Sequence, residues 1–375
     1  MNRKNGFVRC LLTPFAWLYG LAVRLRNLSF DCGILPSERY PVPVVCIGNI
    51  SVGGTGKTPF TEYLVGLLKK QYRVASLSRG YKRRTKGFII ADADCSAREV
   101  GDEACQIKHK FPDITVAVDT NRRRGISRLL ALPDDVRPEV ILLDDGMQHR
   151  YVRPSLTVML TDYNNMYYDD KILPVGNLRE PVDASYRADI IVVTKCGDVI
   201  KPIDLRIIEK QMAIMAYQRL YFSNVRYKVL EAVFPSCALS PPELSDVKDI
   251  LLVAGIANPQ PLVDKLKSCS SSSPSPSPAN LNVCLFPDHH DFGVADIKHI
   301  DNVFRKMPAD SLIISTEKDA MRLKTLDFLP ADWKQRLYYL PISVEFLFER
   351  GENFDAEILK HIVSTINIYK KNVKD

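Results

Sequence analysis

The sequence lacks the features that mark several common classes of protein. The uncharged run near its start, residues 10–23, is only 14 residues long and contains Thr13, Pro14 and Gly20, whereas a membrane-spanning helix needs about 20 apolar residues. The nine cysteines include no Cys-x-x-Cys pair, which favours a reducing compartment and argues against a zinc cluster. No aromatic-rich RNA-binding motif occurs, so we expect no nucleic-acid partner.

The composition is that of a globular protein with more than one domain. A chain of 375 residues is long for a single domain and suits two. Hydrophobic residues make up 46% and charged residues 25%, which allows a sizeable core and excludes collagen-like, disordered and disulfide-scaffold proteins. Lys and Arg number 51 against 44 Asp and Glu, so the net charge is +7.

The basic residues fall into three clusters. The first thirty residues contain five Lys and Arg and no acid, and residues 69–86 contain eight and no acid. The third cluster consists of Arg122, Arg123, Arg124 and Arg128. Such clusters suit phosphate-rich ligands or an anionic lipid surface, but they also occur on solvated helix faces. The sequence leaves both interpretations open.

Residues 1–30 predict an amphipathic helix. Its narrow polar stripe consists of Arg9, Thr13, Ala16, Gly20, Arg24 and Asn27. A second face carries Leu11, Phe15, Leu18, Ala22 and Leu25, and Trp17 and Tyr19 add amphipathic rings. This pattern favours a helix that lies in a membrane interface; the alternative is a helix docked on the rest of the protein. A signal peptide is disfavoured because Arg24 and Arg26, not a cleavage site, follow the apolar run.

From residue 44 onward, short apolar strands alternate with helices. This order predicts an α/β fold, a mostly parallel sheet with helices on both faces. We assign residues 40–220 to this domain, and residues 221–375 to a second, smaller α/β domain. A Ser/Pro-rich loop at residues 268–278 interrupts the second domain and receives no function. The predicted last helix, residues 351–370, can pack on either domain.

The strongest motif is a phosphate-binding loop. Its residues are Ser51, Val52, Gly53, Gly54, Thr55, Gly56, Lys57 and Thr58, and they lie between a strand and a helix. Backbone N–H groups of such a loop surround phosphate oxygens. Lys57 is expected to reach the β- and γ-phosphates, and Thr58 to bind Mg²⁺. Ser51 departs from the usual pattern, which has glycine there. The first domain is therefore predicted to be of the P-loop NTPase type.

A second motif belongs with this loop. An apolar strand ends at Asp144 and Asp145, as a Walker-B element does, and an acid there can hold Mg²⁺ directly or through water. Gln148 and His149 follow and should project near the γ-phosphate. A guanine-reading motif is only loosely present, since Thr194-Lys195 begins with threonine.

Two further groups are candidate site residues. Asp102 follows Gly101 at the start of a predicted helix, where it is either a helix cap or a functional acid. Residues 288–291 read Asp-His-His-Asp after a strand of the smaller domain. His289 is either an ordinary loop histidine or part of a site, and two adjacent histidines do not easily face one metal ion.

Taken together, these motifs resemble the tetraacyldisaccharide 4′-kinase family, whose members phosphorylate an acylated glucosamine disaccharide during lipid A synthesis. The resemblance begins near residue 10 and continues to the last strand of the smaller domain. The matching stretches are residues 48–58, Ser78-Arg79-Gly80-Tyr81, Gly101-Asp102-Glu103, residues 143–149, residues 173–181, Asp288-His289 and residues 316–320. The family loop also carries serine at the position of Ser51.

The resemblance implies a set of roles for individual residues. It implies ATP and Mg²⁺ as cofactors, Asp102 as the base that receives the sugar 4′-hydroxyl proton, and His289 as its partner, with Lys57 also catalytic. Mg²⁺ would lie at Thr58, Asp144 and Asp145. The expected substrate contacts are Arg79, Glu103, Arg122, Gln148, His149 and Arg179. In the family an Asp usually precedes the arginine at position 122, and Asn121 departs from that pattern.

The resemblance also implies a location and a set of partners. The substrate is embedded in lipid, so the enzyme is expected at the cytoplasmic face of the inner membrane of a Gram-negative-type cell, held peripherally by residues 1–30, with no obligate protein partner. Two alternatives stay open: a membrane-peripheral NTPase switch, which the loose motif at Thr194 favours, and a soluble sugar or nucleoside kinase. Residues 316–320 match the family without an evident chemical role.

Overall fold

The computed structural model describes residues 6–197, 200–237, 242–269 and 280–372. Within these ranges the chain forms one large and one small β-sheet, each accompanied by helices. The predicted α/β class is confirmed. Nearly all of the Ser/Pro-rich loop at 268–278 lies outside the described residues.

The elements follow one another in the expected alternating order. The strands are β1 Val44–Gly48, β2 Val74–Ser78, β3 Ile89–Ile90, β4 Thr115–Val118, β5 Val140–Asp144, β6 Leu156–Asp162, β7 Ile190–Thr194, β8 Arg219–Tyr227, β9 Glu231–Ala232, β10 Asp249–Ala254, β11 Asn280–Leu285, β12 Leu312–Thr316, β13 Leu337–Leu340 and β14 Ile342–Phe346. The α-helices are α1 Gly6–Asp31, α2 Lys57–Leu68, α3 Ala97–Val100, α4 Asp102–Lys110, α5 Arg122–Leu130, α6 Pro202–Met212, α7 Gln260–Cys269, α8 Val294–Phe304, α9 Glu317–Lys324, α10 Trp333–Arg336 and α11 Gly351–Asn372.

The large sheet has the strand order β14-β8-β7-β6-β1-β5-β2-β4-β3. Its strands from β8 to β4 are parallel, and β14 and β3 add antiparallel edges. Alternate residues of β1 enter two different cores: Val45 and Ile47 face α2, α4 and α11, and Val44 and Cys46 face α5 and α6. Both faces of the sheet are thus covered, which is why β1, β5 and β7 consist almost entirely of apolar residues.

The position of β1 determines where a ligand can bind. Its neighbours β5 and β6 lie on opposite sides of it. In an open parallel sheet, loops that leave adjacent strands toward opposite faces create a crevice at the strands' carboxyl ends. Residues 49–56 leave β1 at that end, and Asp145 directly follows β5. The phosphate-binding loop and the Walker-B acids are therefore neighbours.

The small sheet has the order β11-β10-β12-β13-β9. Its first four strands are parallel, and β9 is antiparallel to β13. Trp333 and Ile300 are fully buried in one of its two cores. Helix α9 of this unit lies against α4 of the large unit, so the two units meet along these helices.

The sequence assigns residues 221–375 to the smaller domain, but in the structure both ends of this range belong to the large sheet and its core. Strand β8 belongs to the large sheet, and β14 returns to pair with it, Val344 opposite Val225. Helix α11 then buries Phe354, Ile358 and Ile362 in the large core. The part of residues 221–375 that builds the small sheet therefore lies between β8 and β14.

Helix α1 combines the two alternatives considered for it. Its apolar side is exposed, with Trp17 79% and Leu18 66% accessible. Half of its polar stripe faces the protein: Ala16 is buried, Gly20 lies on Ile172, and Asn27 contacts Glu180. The other three members, Arg9, Thr13 and Arg24, are exposed. One stretch of the described chain, Val8–Asp31, is long and apolar enough by length and composition to cross a membrane. This stretch of 24 residues is longer than the uncharged run of residues 10–23.

The packing of α11 can be tested by removing one aromatic ring. Phe354 is fully buried and stacks on Phe346 with ring centroids 4.5 Å apart. Phe354→Ala should lower the free energy of unfolding by about 3–5 kcal/mol, because it removes buried apolar area and leaves a cavity. Urea unfolding followed by circular dichroism measures the change. Ile368→Ala on the same helix is the control, since Ile368 is 54% exposed; equal losses in the two variants would contradict the packing.

Candidate active site

The phosphate-binding loop joins β1 to α2. Gly56 precedes α2 with φ 83°, in the left-handed region that favours glycine. Asn49 ties the two ends of the loop together: its Nδ2 donates to Thr55 Oγ1 at 3.0 Å, and its Oδ1 accepts from Lys57 Nζ at 3.4 Å. The loop backbone is thus held at the helix N-terminus, where N–H groups and the helix dipole attract anions.

Two consecutive carboxylates beside this loop differ in their surroundings. Asp145 lies 3.6 Å from Lys57 and 3.1 Å from Arg179, and these cations overcome burial and hold its pKa below the ordinary value. Asp144 is 2% exposed. Burial, and then the charges of Glu103 and Asp145, raise the pKa of Asp144. Mg²⁺ prefers carboxylate oxygens, and the acids crowded around Asp144 would be relieved by a cation there, so the site fits such an ion.

A cationic pocket lies next to these acids. Arg122 is 1% exposed and donates through Nη1 to the Asp119 carbonyl at 2.9 Å, while its Nε has no hydrogen-bond partner among the described residues. Burial, followed by the charges of Arg122 and Arg79, lowers the pKa of His149 to about 4. A buried cation with an unsatisfied donor is costly unless an anion completes it. The pocket is therefore suited to a phosphate or another anion.

Asp102 is held by side chains from the small domain. His289 Nδ1 lies 2.7 Å from Asp102 Oδ2, and Arg322 Nε donates to Oδ1 at 2.9 Å. Arg322 Nη2 donates to Oδ2 as well. Burial acts to raise the pKa of Asp102, but the hydrogen bonds from His289 and Arg322 hold it below the usual range. The helix cap is Gly101, so Asp102 is not a cap, and its carboxylate is directed across the domain boundary.

Local backbone geometry places both members of this pair. Gly101 has φ 89°, and a Cβ there would lie 2.9 Å from the Tyr81 carbonyl oxygen, so only glycine fits. His289 itself has φ 59°, an uncommon conformation for a residue with a side chain. Its ring contacts that of Tyr81, with centroids 5.1 Å apart. Residues 78–81 thus support the site from the large domain.

The segment 316–319, for which the sequence offered no chemistry, organises the small-domain side of the site. Thr316 caps α9, and Asp319 is fully buried, accepting from Gly255 N at 2.8 Å and from Arg322 Nη1 at 2.9 Å. Lys318 Nζ lies 2.9 Å from His289 Nε2. Arg322 and Lys318 were missed as site residues; the unexplained match at 316–320 was the signal next to them.

Glu103 connects the Asp102 pair to the nucleotide end of the site. It directly follows Asp102 on α4 and is close enough to Asp144 for its charge to raise that group's pKa. Consecutive residues on one helix turn therefore face the two halves of the site. The structure brings together Lys57, Glu103, Asp144, Asp145 and Arg179 at one end, and Asp102 with His289 at the other.

The residues around Gln148 reach back to α1. Gln148 Nε2 donates to the Asn49 backbone carbonyl at 2.7 Å. The backbone carbonyl of Gln148 accepts from Arg26 Nη2 at 2.9 Å. Tyr19 donates to the Arg179 carbonyl at 2.8 Å. The amphipathic helix therefore contacts two predicted site segments directly.

Other sequence candidates have local structural roles. His290 bonds Asp296 at 3.0 Å and stacks on Phe286, so the two adjacent histidines serve different partners. Thr194 Oγ1 donates to the Thr55 carbonyl at 2.9 Å, which supports the phosphate loop from behind.

The basic clusters separate into two kinds. In the third cluster Arg122 is buried at the site, whereas Arg123 pairs with Glu38 and Arg124 with Asp119. Asn121 caps α5 by accepting from the Arg124 backbone at 3.2 Å, so the family's missing acid is replaced locally. In residues 69–86, Lys69 pairs with Asp113 on the surface. Lys69, Arg73, Arg123 and Arg124 of these clusters therefore have ordinary ion pairs with acidic side chains.

Comparison with known proteins identifies the family. The model of the tetraacyldisaccharide-1-P 4′-kinase family, LpxK, matches residues 8–363. The chain belongs to this family. It is 50% identical over 359 residues to the tetraacyldisaccharide 4′-kinase of Parabacteroides distasonis, covering 95% of each chain. It is 48% identical to that of Bacteroides fragilis, covering 94% of this chain and 92% of the relative.

A solved structure shares the architecture of this kinase. LpxK from Aquifex aeolicus, determined in complex with ATP, superposes with a TM-score of 0.70 at 26% sequence identity. The match covers 95% of this chain and 99% of that one. The predicted family, enzyme class and fold are therefore confirmed.

The cationic pocket makes a prediction about His149. Its imidazole should remain neutral at pH 6 and titrate near pH 4, because burial and the charges of Arg122 and Arg79 disfavour the imidazolium. Removing a cation relieves this, so Arg79→Gln should raise the pKa. NMR titration of the ring, assigned with His149→Gln, measures it. Arg305 is exposed and pairs with Asp301, so the control Arg305→Gln should leave the pKa of His149 unchanged. A His149 ring that titrates near pH 6.5 in the unaltered protein would refute the cationic pocket.

Proposed function

We propose that this kinase transfers the γ-phosphate of ATP to the 4′-hydroxyl of a tetraacylated glucosamine disaccharide 1-phosphate. Membership in the family supports the reaction, and the ATP complex of the Aquifex relative supports the donor. One observation in this chain carries the proposal: Asp102, paired with His289, begins the helix whose next residue neighbours the Walker-B acids. A carboxylate next to the assigned nucleotide site supports a transfer to a hydroxyl group.

In this proposal, Asp102 accepts the proton of the 4′-hydroxyl. The sugar oxygen forms its bond to the γ-phosphorus while the bond from that phosphorus to the ADP oxygen breaks. Asp102 is a weak base because its pKa is held low. Phosphoryl transfer has a loose transition state, so orienting the hydroxyl matters more than base strength. His289 fixes the carboxylate from the other domain, so the site is complete only when the domains meet.

The nucleotide is assigned to the loop at residues 51–58. Lys57 is placed to neutralise the β- and γ-phosphates, and Thr58, Asp144 and Asp145 would hold Mg²⁺. Mg²⁺, when bound, neutralises charge on the phosphate oxygens. Arg179 lies 3.1 Å from Asp145, which keeps a second cation at the same end. These groups hold the phosphates while the acceptor approaches from the side of Asp102.

The cationic pocket is assigned to substrate or nucleotide phosphate. Arg122 with its unpartnered Nε, and Arg79 beside His149, offer donors to a phosphate. Glu103 is close enough to Asp144 to raise its pKa, and Gln148 is bonded to Asn49 next to the nucleotide loop, so both are assigned to contacts with the substrate. A neutral His149 can donate or accept one hydrogen bond without adding charge.

Helix α1 is assigned to the cytoplasmic surface of the inner membrane. Ala16, Gly20 and Asn27 of its polar stripe contact the globular body, while the opposite side exposes Phe15, Trp17 and Leu18. A helix attached to the protein along one side can insert only its other side, which favours an interfacial position over a crossing one. The acyl chains of the substrate stay in the bilayer, so the enzyme must come to them.

The catalytic proposal predicts loss of transfer in two variants. Asp102→Asn should lower the transfer rate by about 10²–10⁴-fold, the range of a positioned general base. Lys57→Ala should also lower the transfer rate, because it removes positive charge at the phosphates. Labelled phosphate transfer from ATP to the disaccharide in mixed micelles measures both. Asp113→Asn is the control, since that carboxylate is 56% exposed and pairs only with Lys69 among the described groups. Full turnover in both variants would reject the assignment.

The membrane proposal predicts a loss of vesicle binding. Each Leu buried in lipid contributes about 1.5–3 kcal/mol, so the double variant Leu18→Glu, Leu25→Glu should weaken binding to phosphatidylglycerol-containing vesicles by at least about tenfold. Cosedimentation with the vesicles measures it. Val229→Glu is the matched control, because Val229 is 76% exposed and lies far from α1 in sequence. Equal binding by all three proteins would contradict the role of α1.

A further inference from the structure

We infer that Arg322 and Lys318 of α9 are positioning residues for the transfer reaction. Arg322 fixes the Asp102 carboxylate so that Oδ1 receives the acceptor hydroxyl, and Lys318 fixes the protonation pattern of His289. This inference rests on the proposed function and concerns the same site. It extends that function to two side chains that act on Asp102 and His289 rather than on the substrate.

Arg322 holds Asp102 in a two-point contact. Its Nε donates to Oδ1 at 2.9 Å and its Nη2 to Oδ2, with the two side chains 9% and 10% exposed. A planar guanidinium that contacts both oxygens fixes the rotation of the carboxylate as well as its position. A single charge at the same place would fix only the distance.

Arg322 is itself held in place from behind. Its Nη1 donates to Asp319 Oδ1 at 2.9 Å and to the His290 carbonyl at 3.3 Å. Asp319 is fully buried and is fixed by Thr316 Oγ1 at 2.7 Å and by the Gly255 backbone. The guanidinium is therefore anchored to the small domain before it meets Asp102, so the domain supplies it in a preset orientation.

Lys318 decides which nitrogen of His289 carries the proton. An ammonium group has only donors, so at 2.9 Å from Lys318 Nζ the His289 Nε2 must accept. In the neutral ring the proton then resides on Nδ1, which donates to Asp102 Oδ2 at 2.7 Å. Arg322 Nη2 also lies 3.3 Å from Nδ1, and in this tautomer it donates to Asp102 Oδ2 instead. Lys318 lies 3.6 Å from Asp288 as well, which holds the ammonium beside the ring.

Counting the acceptor positions identifies the oxygen that is left for substrate. Each carboxylate oxygen has two lone pairs. Among the described residues, Oδ2 accepts from Arg322 Nη2 and His289 Nδ1, whereas Oδ1 accepts from Arg322 Nε alone. Oδ1 therefore retains one acceptor position, and we assign it to the 4′-hydroxyl.

The positioning role has a distinct electrostatic consequence. Arg322 and His289 together hold the pKa of Asp102 below its usual value, and transfer requires the carboxylate form. Without Arg322 the pKa of Asp102 rises, so the acidic limb of the rate profile must move to higher pH. Loss of an interdomain salt bridge that does not contact Asp102 would not move this limb.

The test compares four variants in the mixed-micelle transfer assay. Arg322→Gln should lower kcat by about 10²-fold, the lower end of a general base contribution, with an unchanged KM for ATP and an acidic limb shifted upward. Arg322→Lys should restore the limb but not the full kcat, since it keeps the charge and loses the two-point contact. Lys318→Gln should lower kcat by a smaller factor than Arg322→Gln and leave the KM for ATP unchanged.

Lys110→Gln is the matched control. Lys110 bridges Glu62 of α2 and Glu317 of α9, so it joins the same domains without contacting Asp102 among the described contacts. If Lys110→Gln matches Arg322→Gln in kcat and in its acidic limb, the effect is domain docking and the inference is rejected. If Arg322→Gln does not fold, an unaltered kcat in Lys318→Gln rejects it. Absence of transfer by the unaltered protein would instead overturn the proposed function.

Discussion

The ion contacts at the carboxylate of Asp102 are the interaction on which the geometry of the site depends. The large domain supplies the acid, and the small domain supplies His289 and Arg322. A carboxylate buried to this degree is stable as an anion only when it is paired. When the domains separate, Asp102 therefore loses its partners. The arrangement of the domains is in this way linked to the chemistry proposed for the site.

A second set of charges supports the same junction. Lys110 on α4 lies 2.6 Å from Glu62 on α2 and 2.9 Å from Glu317 on α9. Burial, and then the charge of Glu317, raise the pKa of Glu62, so the two acids need the cation between them. Lys110 thus connects the sides of three helices, α2, α4 and α9. A shift of one helix must be accommodated by the others, which keeps the nucleotide end and the base in register.

The sequence could supply the parts of the site that are local. The phosphate loop and the Walker-B acids follow from short runs of glycine, lysine and aspartate between apolar strands, and both lie where expected. The pairing of Asp102 with His289 came from resemblance alone, because no spacing rule joins residues 187 positions apart. Arg322 was missed since an arginine near the end of a short helix is typical of an exposed surface. Strand β14 was missed because five residues at an antiparallel edge carry little pattern of their own.

The orientation of α1 relates the site to the bilayer surface. The side of this helix that faces the protein contacts Gln148 through Arg26 and Arg179 through Tyr19, and those two residues belong to the predicted phosphate-binding region. The opposite side exposes Leu11, Phe15 and Leu18. A membrane-bound α1 would therefore place the Gln148 and Arg179 backbone about one helix diameter, roughly 10 Å, from the lipid. A disaccharide headgroup whose acyl chains remain in the bilayer could then reach Asp102 without extraction of the lipid, which would cost about 0.8 kcal/mol for every CH₂ exposed to water.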